Sequence, residues 1–371
     1  MRRSLVAVAA ALLLAPSALA APRVDARAYV IENGATGEVL AAFHPRQQLP
    51  NASITKLMTV LVTLEHARPS AVVTVSPAAA AVGESSVHLR GGERLTVREL
   101  LEAALIQSAN DAADALAYYV GRGSEERFVA LMNARARRLG LTDTHFVRPD
   151  GLDAPGHVSS ARDVTKLARL LMRKPLVRAI VRLRTATISG GRTLSTWNDL
   201  LSTFRGVIGV KTGHTSAAGW SQVAAAVEPG VTIYATILGS PDRATRNADL
   251  AALLRWGLAR YGRVRAVVRG RVYARVRTEF DRRKIDLVAN RPFTPVVRLD
   301  RPLVVRVVSA ATVTLPVRRG RALGEIRVYQ GPRLLGIRAL VASRSVARPG
   351  IAGRVGWFAR RTVRHVLGWF S

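Results

Sequence analysis

Leu49-Pro50-Asn51-Ala52-Ser53-Ile54-Thr55-Lys56-Leu57-Met58-Thr59 is the stretch on which the reading of the whole chain turns. It sets a serine and a lysine three residues apart at the start of what reads as a helix, and residues three apart share a helical face. Pro50 and Asn51 stand where helix-starting residues belong. Ser53 is therefore expected in the first turn, where free N–H groups and the helix dipole favour developing negative charge. A serine hydroxyl is a poor nucleophile until something takes its proton. A lysine can take it only as the neutral amine, which requires a lowered pKa.

The 371-residue chain carries 56 Lys+Arg, yet lysine stands only at 56, 166, 174, 211 and 284. Arginine stays protonated and cannot serve as a base. A composition that drifts toward arginine keeps lysine where arginine fails. One Ser-x-x-Lys is nevertheless expected by chance in roughly a third of such chains, so the spacing needs company.

The length leaves room for two domains, and a hydrophobic content of 49% is that of a globular protein. Met1-Arg2-Arg3, the apolar run Leu5 to Ala15 and the small residues Ala18-Leu19-Ala20 read as a secretory signal over residues 1–20, too short to span a bilayer. Cysteine is absent, which excludes thiolate chemistry and disulfides. The seven histidines form no HExxH-like pair, so neither a metal nor another cofactor is expected. The formal charge of +31 could mean nucleic acid, but the arginines are spread along the chain without a basic–aromatic module. With export, anionic lipid heads and wall polymers are the expected counterpart, and no nucleic acid is.

Arg27 to Asn33 and Glu38 to Phe43 read as a hairpin. The helix from about Ser53 has an apolar face broad enough for a buried, central position. Short strands are expected around Val72–Val75 and Ser86–Leu89. Thr96-Val97-Arg98-Glu99 is a capping box opening a helix over Val97–Gln107. Ser108-Ala109-Asn110-Asp111 follows, then helices over Ala112–Val120, Glu125–Leu139 and Ala161–Arg173. Ser108 and Asn110 at a helix junction could simply be caps. A strand brings Lys211-Thr212-Gly213 to its edge, two more strands cover Gly219–Val227 and Val231–Leu238, and a helix from about Arg246 to Tyr261 closes the unit. Strands at both ends with helices between suggest α+β, or α/β with a helical insertion. From Val264 to Val346 short alternating runs punctuated by Gly and Pro indicate a second, all-β domain. In the last stretch Ile351, Val355, Phe358, Val363, Val366 and Phe370 fall on one helical side and Arg354, Arg361 and Arg364 on the other, as in an interfacial membrane helix.

Ser53-x-x-Lys56, Ser108-x-Asn110 and Lys211-Thr212-Gly213 together, in this order, are far rarer than any one of them. With Arg148-Pro149-Asp150-Gly151-Leu152, His157, Ser160-Ala161-Arg162-Asp163 and Gly206 through Gly219, the chain resembles the low-molecular-mass penicillin-binding proteins that are serine D-alanyl-D-alanine carboxypeptidases. The resemblance covers nearly all of it. It implies an α/β catalytic domain of the penicillin-binding-protein/β-lactamase-like transpeptidase fold over residues 21–262: an antiparallel sheet with flanking helices and a helical insertion. It further implies a β-rich domain over 263–347 and an amphipathic membrane-associating helix over 348–371, on the outer face of the cytoplasmic membrane.

The resemblance also assigns roles. Ser53 is the nucleophile, Lys56 its base, kept neutral by burial and by nearby Lys211, and Ser108 a proton relay. Asn110, Lys211, Thr212, Gly213 and His214 are expected to contact substrate, with backbone N–H groups of Ser53 and His214 as the oxyanion hole. An arginine meets the terminal carboxylate; spacing favours Arg246, with Arg243 close by. The substrate class is the peptidoglycan stem pentapeptide, and β-lactams are the expected inhibitors. A β-lactamase is disfavoured by the lack of a Glu-x-x-Leu-Asn segment. An endopeptidase cutting cross-links keeps the same nucleophilic chemistry. A non-catalytic wall-binding scaffold is disfavoured because both motif lysines persist.

Overall fold

The computed structural model describes residues 8–12, 20–279 and 284–351. The chain divides into one unit of Ala20–Ala259 and another of Met1–Leu19 with Arg260–Ser371.

In the first unit, strands β1 (Ala28–Asn33) and β2 (Val39–Phe43) form the N-terminal hairpin. Its turn is held by Asn33, whose Oδ1 accepts from the backbone N–H groups of Ala35 and Thr36. Strands β3 (Val207–Thr215), β4 (Gly219–Glu228) and β5 (Val231–Ser240) come from the far end of the unit. The sheet order is β2-β1-β5-β4-β3, antiparallel throughout. The chain thus returns to its first hairpin after more than 160 residues, pairing β5 with β1 and leaving the residues between as an insertion.

That insertion is helical. Helix α1 (Lys56–His66) is buried from Lys56 through Thr63, as its broad apolar face requires. The capping box at Thr96 and Glu99 opens α2 (Val97–Glu102). A π turn over Ala103–Gln107 follows, and then α3 (Asn110–Val120), whose residues Asn110–Ala117 are all buried. Helix α4 (Glu125–Leu139) has Ser124 as N-cap and Gly140 in the left-handed region as C-cap. Helices α5 (Ala161–Leu171) and α6 (Arg243–Ala259) cover opposite faces of the sheet. Thr165 of α5 meets Thr236 across 2.6 Å, whereas Gly257 of α6 lies against Ile31 and Ile233 so tightly that a Cβ would sit 2.6 Å from Ile31 Cδ1. Residues 233 and 236 point to opposite sides of β5.

Several boundaries differ from the expectations. Ser86–Leu89 is not a strand, because its backbone N–H groups go to a side chain: Val87 and Leu89 donate to the Asp111 carboxylate, which also accepts from Ser86 Oγ. Asp242 accepts from the backbone N–H and hydroxyl of Thr245, so α6 starts at Arg243 rather than near Arg246.

The second unit is all β, as expected. Strands β6 (Val272–Thr278), β7 (Lys284–Ala289), β8 (Leu303–Ser309), β9 (Ala322–Gln330) and β10 (Arg333–Ala342) run in the order β8-β9-β10-β7-β6, and Thr312–Val313 pairs in parallel with β6. Its core of Val276, Ile285, Leu287, Leu303, Ile326, Val328 and Leu340 is its own. Val8–Leu12, within the expected signal, lies antiparallel along β8. Residues 1–7 and 13–19, and the expected amphipathic helix beyond Ile351, lie outside the described residues. Among the described residues no helix is long and apolar enough to cross a membrane.

Candidate active site

Ser53 sits in a single 3-10 turn, Ala52–Thr55, that runs directly into α1. The expected α-helical first turn is therefore tighter than anticipated, and Asn51 provides no side-chain cap. Instead Asn51 Oδ1 accepts from Thr55 Oγ1 at 3.3 Å, and Thr55 Oγ1 meets His157 Nε2 at 2.7 Å. His157 Nδ1 accepts from the backbone N–H groups of Val147 and Arg148, so its proton is on Nε2 and points at Thr55. Burial holds this imidazole down at about 4, neutral at physiological pH. His157 thus buttresses the turn that carries Ser53.

Lys56 is completely buried at the first position of α1. Its Nζ lies 2.8 Å from Ser53 Oγ, 2.6 Å from Asn110 Oδ1 and 2.7 Å from the Asp150 main-chain oxygen. The two carbonyl oxygens can only accept. A neutral amine spends its two N–H bonds on them and turns its lone pair to the Ser53 hydroxyl. Burial lowers Lys56 to about 8, against the opposing pull of Asp150, Asp114, Asp111 and Glu84. The repulsion between the two lysines falls on Lys211, whose amine is pushed well below its usual value by burial, then by Lys56 and Arg246.

Ser108 follows the π turn in the left-handed region, at φ 67°, and takes a hydrogen bond from Lys211 Nζ at 2.8 Å. Lys211 also donates to the Thr212 carbonyl oxygen at 2.8 Å. Asn110 opens α3, and its side chain is engaged at both ends: Oδ1 accepts from Lys56 and Nδ2 donates to Gly83 O at 3.2 Å. It positions the lysine in addition to any contact with substrate. Ser108 and Asn110 are thus drawn into the lysine network, beyond plain capping.

Strand β3 brings Lys211, Thr212, Gly213 and His214 alongside the Ser53 turn. A Cβ on Gly213 would stand 2.9 Å from Asn51 O and 3.1 Å from Ala52 Cβ, so only glycine allows this approach. His214 is exposed, its ring 4.1 Å from that of Trp220 on β4. Both arginines reach Asp199, Arg243 through two bonds of 2.8 and 2.5 Å and Arg246 through one of 3.5 Å. Arg246 is buried, lies 5.6 Å over the Trp220 ring and acts electrostatically on Lys211. Of the two, Arg246 is the one that acts on Lys211. Sequence reasoning did not anticipate the main-chain oxygen of Asp150 as a partner of Lys56. Its neighbour Gly151, at φ 89° and with a Cβ position 2.1 Å from Ala52 O, is the signal that could have shown it.

Comparison with known proteins agrees with this geometry. The profile of the D-alanyl-D-alanine carboxypeptidase family matches residues 15–242. The chain belongs to the D-alanyl-D-alanine carboxypeptidase family. It is 32% identical to D-alanyl-D-alanine carboxypeptidase DacC of Escherichia coli over 97% of this chain and 95% of that protein. The DD-transpeptidase of Streptomyces K15 superposes with a TM-score of 0.62 at 33% identity, over 65% of this chain and all of the other. Penicillin-binding protein 5 from Haemophilus influenzae superposes with a TM-score of 0.64 at 25% identity, over 89% of this chain and 100% of its own. As a carboxypeptidase-family member the chain is a serine-type hydrolase of cell-wall metabolism with a penicillin-binding-protein-like fold.

Proposed function

We propose that the chain removes the terminal D-alanine from peptidoglycan pentapeptide stems through an acyl-enzyme on Ser53. The observation that carries this reading is the buried amine of Lys56, aimed at Ser53 Oγ and backed by two carbonyl oxygens. Lys56 takes the hydroxyl proton as Ser53 attacks the carbonyl of the penultimate D-alanine. Backbone N–H groups of Ser53 and His214 face the oxyanion. Collapse breaks the peptide bond, and the departing amine takes its proton through Ser108, which Lys211 holds. Lys211, Thr212 and Arg246 meet the terminal carboxylate. Water, deprotonated by Lys56, then releases the shortened peptide. A β-lactam enters the same path and leaves Ser53 acylated. Export to the outer face of the cytoplasmic membrane, with attachment through the basic amphipathic C-terminal segment, fits the formal charge of +31.

The test uses purified protein beside Ser53→Ala, each incubated with pentapeptide muropeptides and cross-linked dimers, with products read by mass spectrometry. Loss of one alanine from the pentapeptide, absent in the variant, is the expected result. Dimer cleavage without alanine loss would make the enzyme an endopeptidase. No change in either sample would overturn the catalytic reading.

A further inference from the structure

Helix α3 presents a second polar side chain on the face that offers Asn110 to Lys56. Asp114 lies four residues on, one turn along the same face. It is 2% exposed, and its Oδ1 has no hydrogen-bond partner among the described residues. The other buried carboxylates nearby are satisfied. Asp111 accepts from Ser86, Val87 and Leu89. Asp150 takes two bonds from Arg148, at 3.1 and 2.9 Å, and one from the Leu152 N–H. An unpartnered buried carboxyl is expensive to ionise, and a stabilised fold does not keep one on its central helix without some return.

The charged groups around Asp114 come from every side. Lys56 of α1 and Arg148 of the loop after α4 attract its ionised form; Asp150 of that loop and Glu125 at the start of α4 repel it. Arg148 is already committed to Asp150. Lys56 in turn is pulled toward its charged form by Asp114 as well as by Asp150, Asp111 and Glu84. Asp114 and Lys56 therefore act on each other's proton.

We propose that Asp114 sets the pH at which Lys56 becomes a base, because the two side chains compete for one proton. The inference rests on Lys56 as the base that activates Ser53. Of the two ways to hold that proton, carboxylic acid with neutral amine is the productive one. Carboxylate with ammonium leaves Ser53 unactivated. Leaving Asp114 buried with Oδ1 unpartnered favours the productive arrangement, and burial brings it up to about 8, beside the value of about 8 for Lys56. Asp114 does not touch the reacting atoms; it is a positioning residue for the proton.

The experiment is the pH dependence of acylation by a fluorescent penicillin, in the wild-type protein and in Asp114→Asn. The amide keeps the shape and removes the competitor. The midpoint of its acid limb is expected to move down by about half a unit, with the plateau kept and the rates well below the midpoint unchanged, because Asp114 is protonated and neutral there. A purely structural role would lower the rate at every pH and leave the midpoint fixed; that result overturns the proposal. Thermal stability gives a second readout, and Asp114→Ser replaces the amide variant should that fail to fold. Between about pH 4 and 8 the folded wild type holds a proton on Asp114 that the unfolded chain releases, so its stability falls as pH rises through that window. The variant lacks that fall, and its relative Tm is expected to climb from pH 4 to 8. A difference that does not change with pH counts against the proposal. Failure of the wild type to be acylated at any pH would strike the Ser53–Lys56 reading instead, and the stability comparison would still judge Asp114.

Discussion

At the scale of single residues, the chemistry depends on an amine that is both buried and able to lose its proton. Lys56→Arg places a permanent, larger cation in the same space, and arginine cannot act as base. Acylation by a fluorescent penicillin is expected to fall by about a thousandfold or more, with a loss of roughly 3 kcal/mol in stability measured by denaturant unfolding. Lys56→Met separates charge from packing. The folded protein gives up the Lys56 proton near pH 8, the unfolded chain only near 10.5. Between those values the unfolded state binds more protons, so stability rises with pH; below pH 8 the full penalty of ionising a buried amine is present. Wild type should therefore lose ground to Lys56→Met as pH falls from 10.5 to 8 and no further below, as followed by Tm. His157 shows the other window. Its folded value lies near 4, against 6.5 in the unfolded chain, so acidification from 6.5 toward 4 should remove stability from wild type. His157→Leu should lack that step.

At the scale of elements, the site is made by close approach of backbones. Gly151, at φ 89°, abuts Ala52, and Gly213 abuts Asn51 and Ala52, so the turn carrying Ser53 is gripped from both sides. Gly213→Ala is expected to slow acylation about 10- to 100-fold while Tm changes by a few degrees, since the strand can retreat but the turn then loses its support. Gly151→Ala meets both a strained φ and a backbone oxygen, and should lower Tm and activity together. Much of this scale could be read from the residues. The Thr96–Glu99 capping box and the Glu125–Leu139 helix are where local signals put them, because cap, periodicity and terminator all agree. Ser53, Lys56, Ser108, Asn110 and Lys211 came from three short motifs, and hydrogen bonds join them in two groups, Ser53–Lys56–Asn110 and Ser108–Lys211. What sequence could not show is main-chain and long-range: the Asp150 oxygen on Lys56, the π turn before Ser108, and a would-be strand at Ser86–Leu89 whose N–H groups are claimed by Asp111. Those depend on atoms common to every residue, or on partners more than twenty positions away.

At the scale of the whole molecule, each unit has a hydrophobic core of its own, one drawn from residues 28–238 and one from 266–342. The catalytic unit, residues 20–259, is therefore expected to fold alone and to be acylated by a fluorescent penicillin within about threefold of the full chain. A truncated protein that unfolds or loses labelling would overturn that independence. The drift toward arginine has a further consequence. Of five lysines, the two in the site are sealed away, leaving the exposed Lys166 and Lys284 and the half-buried Lys174 as side-chain amines within reach of solvent. An activated ester used to tether this protein to a bead or to attach a dye therefore has three side chains and the amino terminus to react with. Immobilised or labelled preparations should come out nearly uniform and still competent.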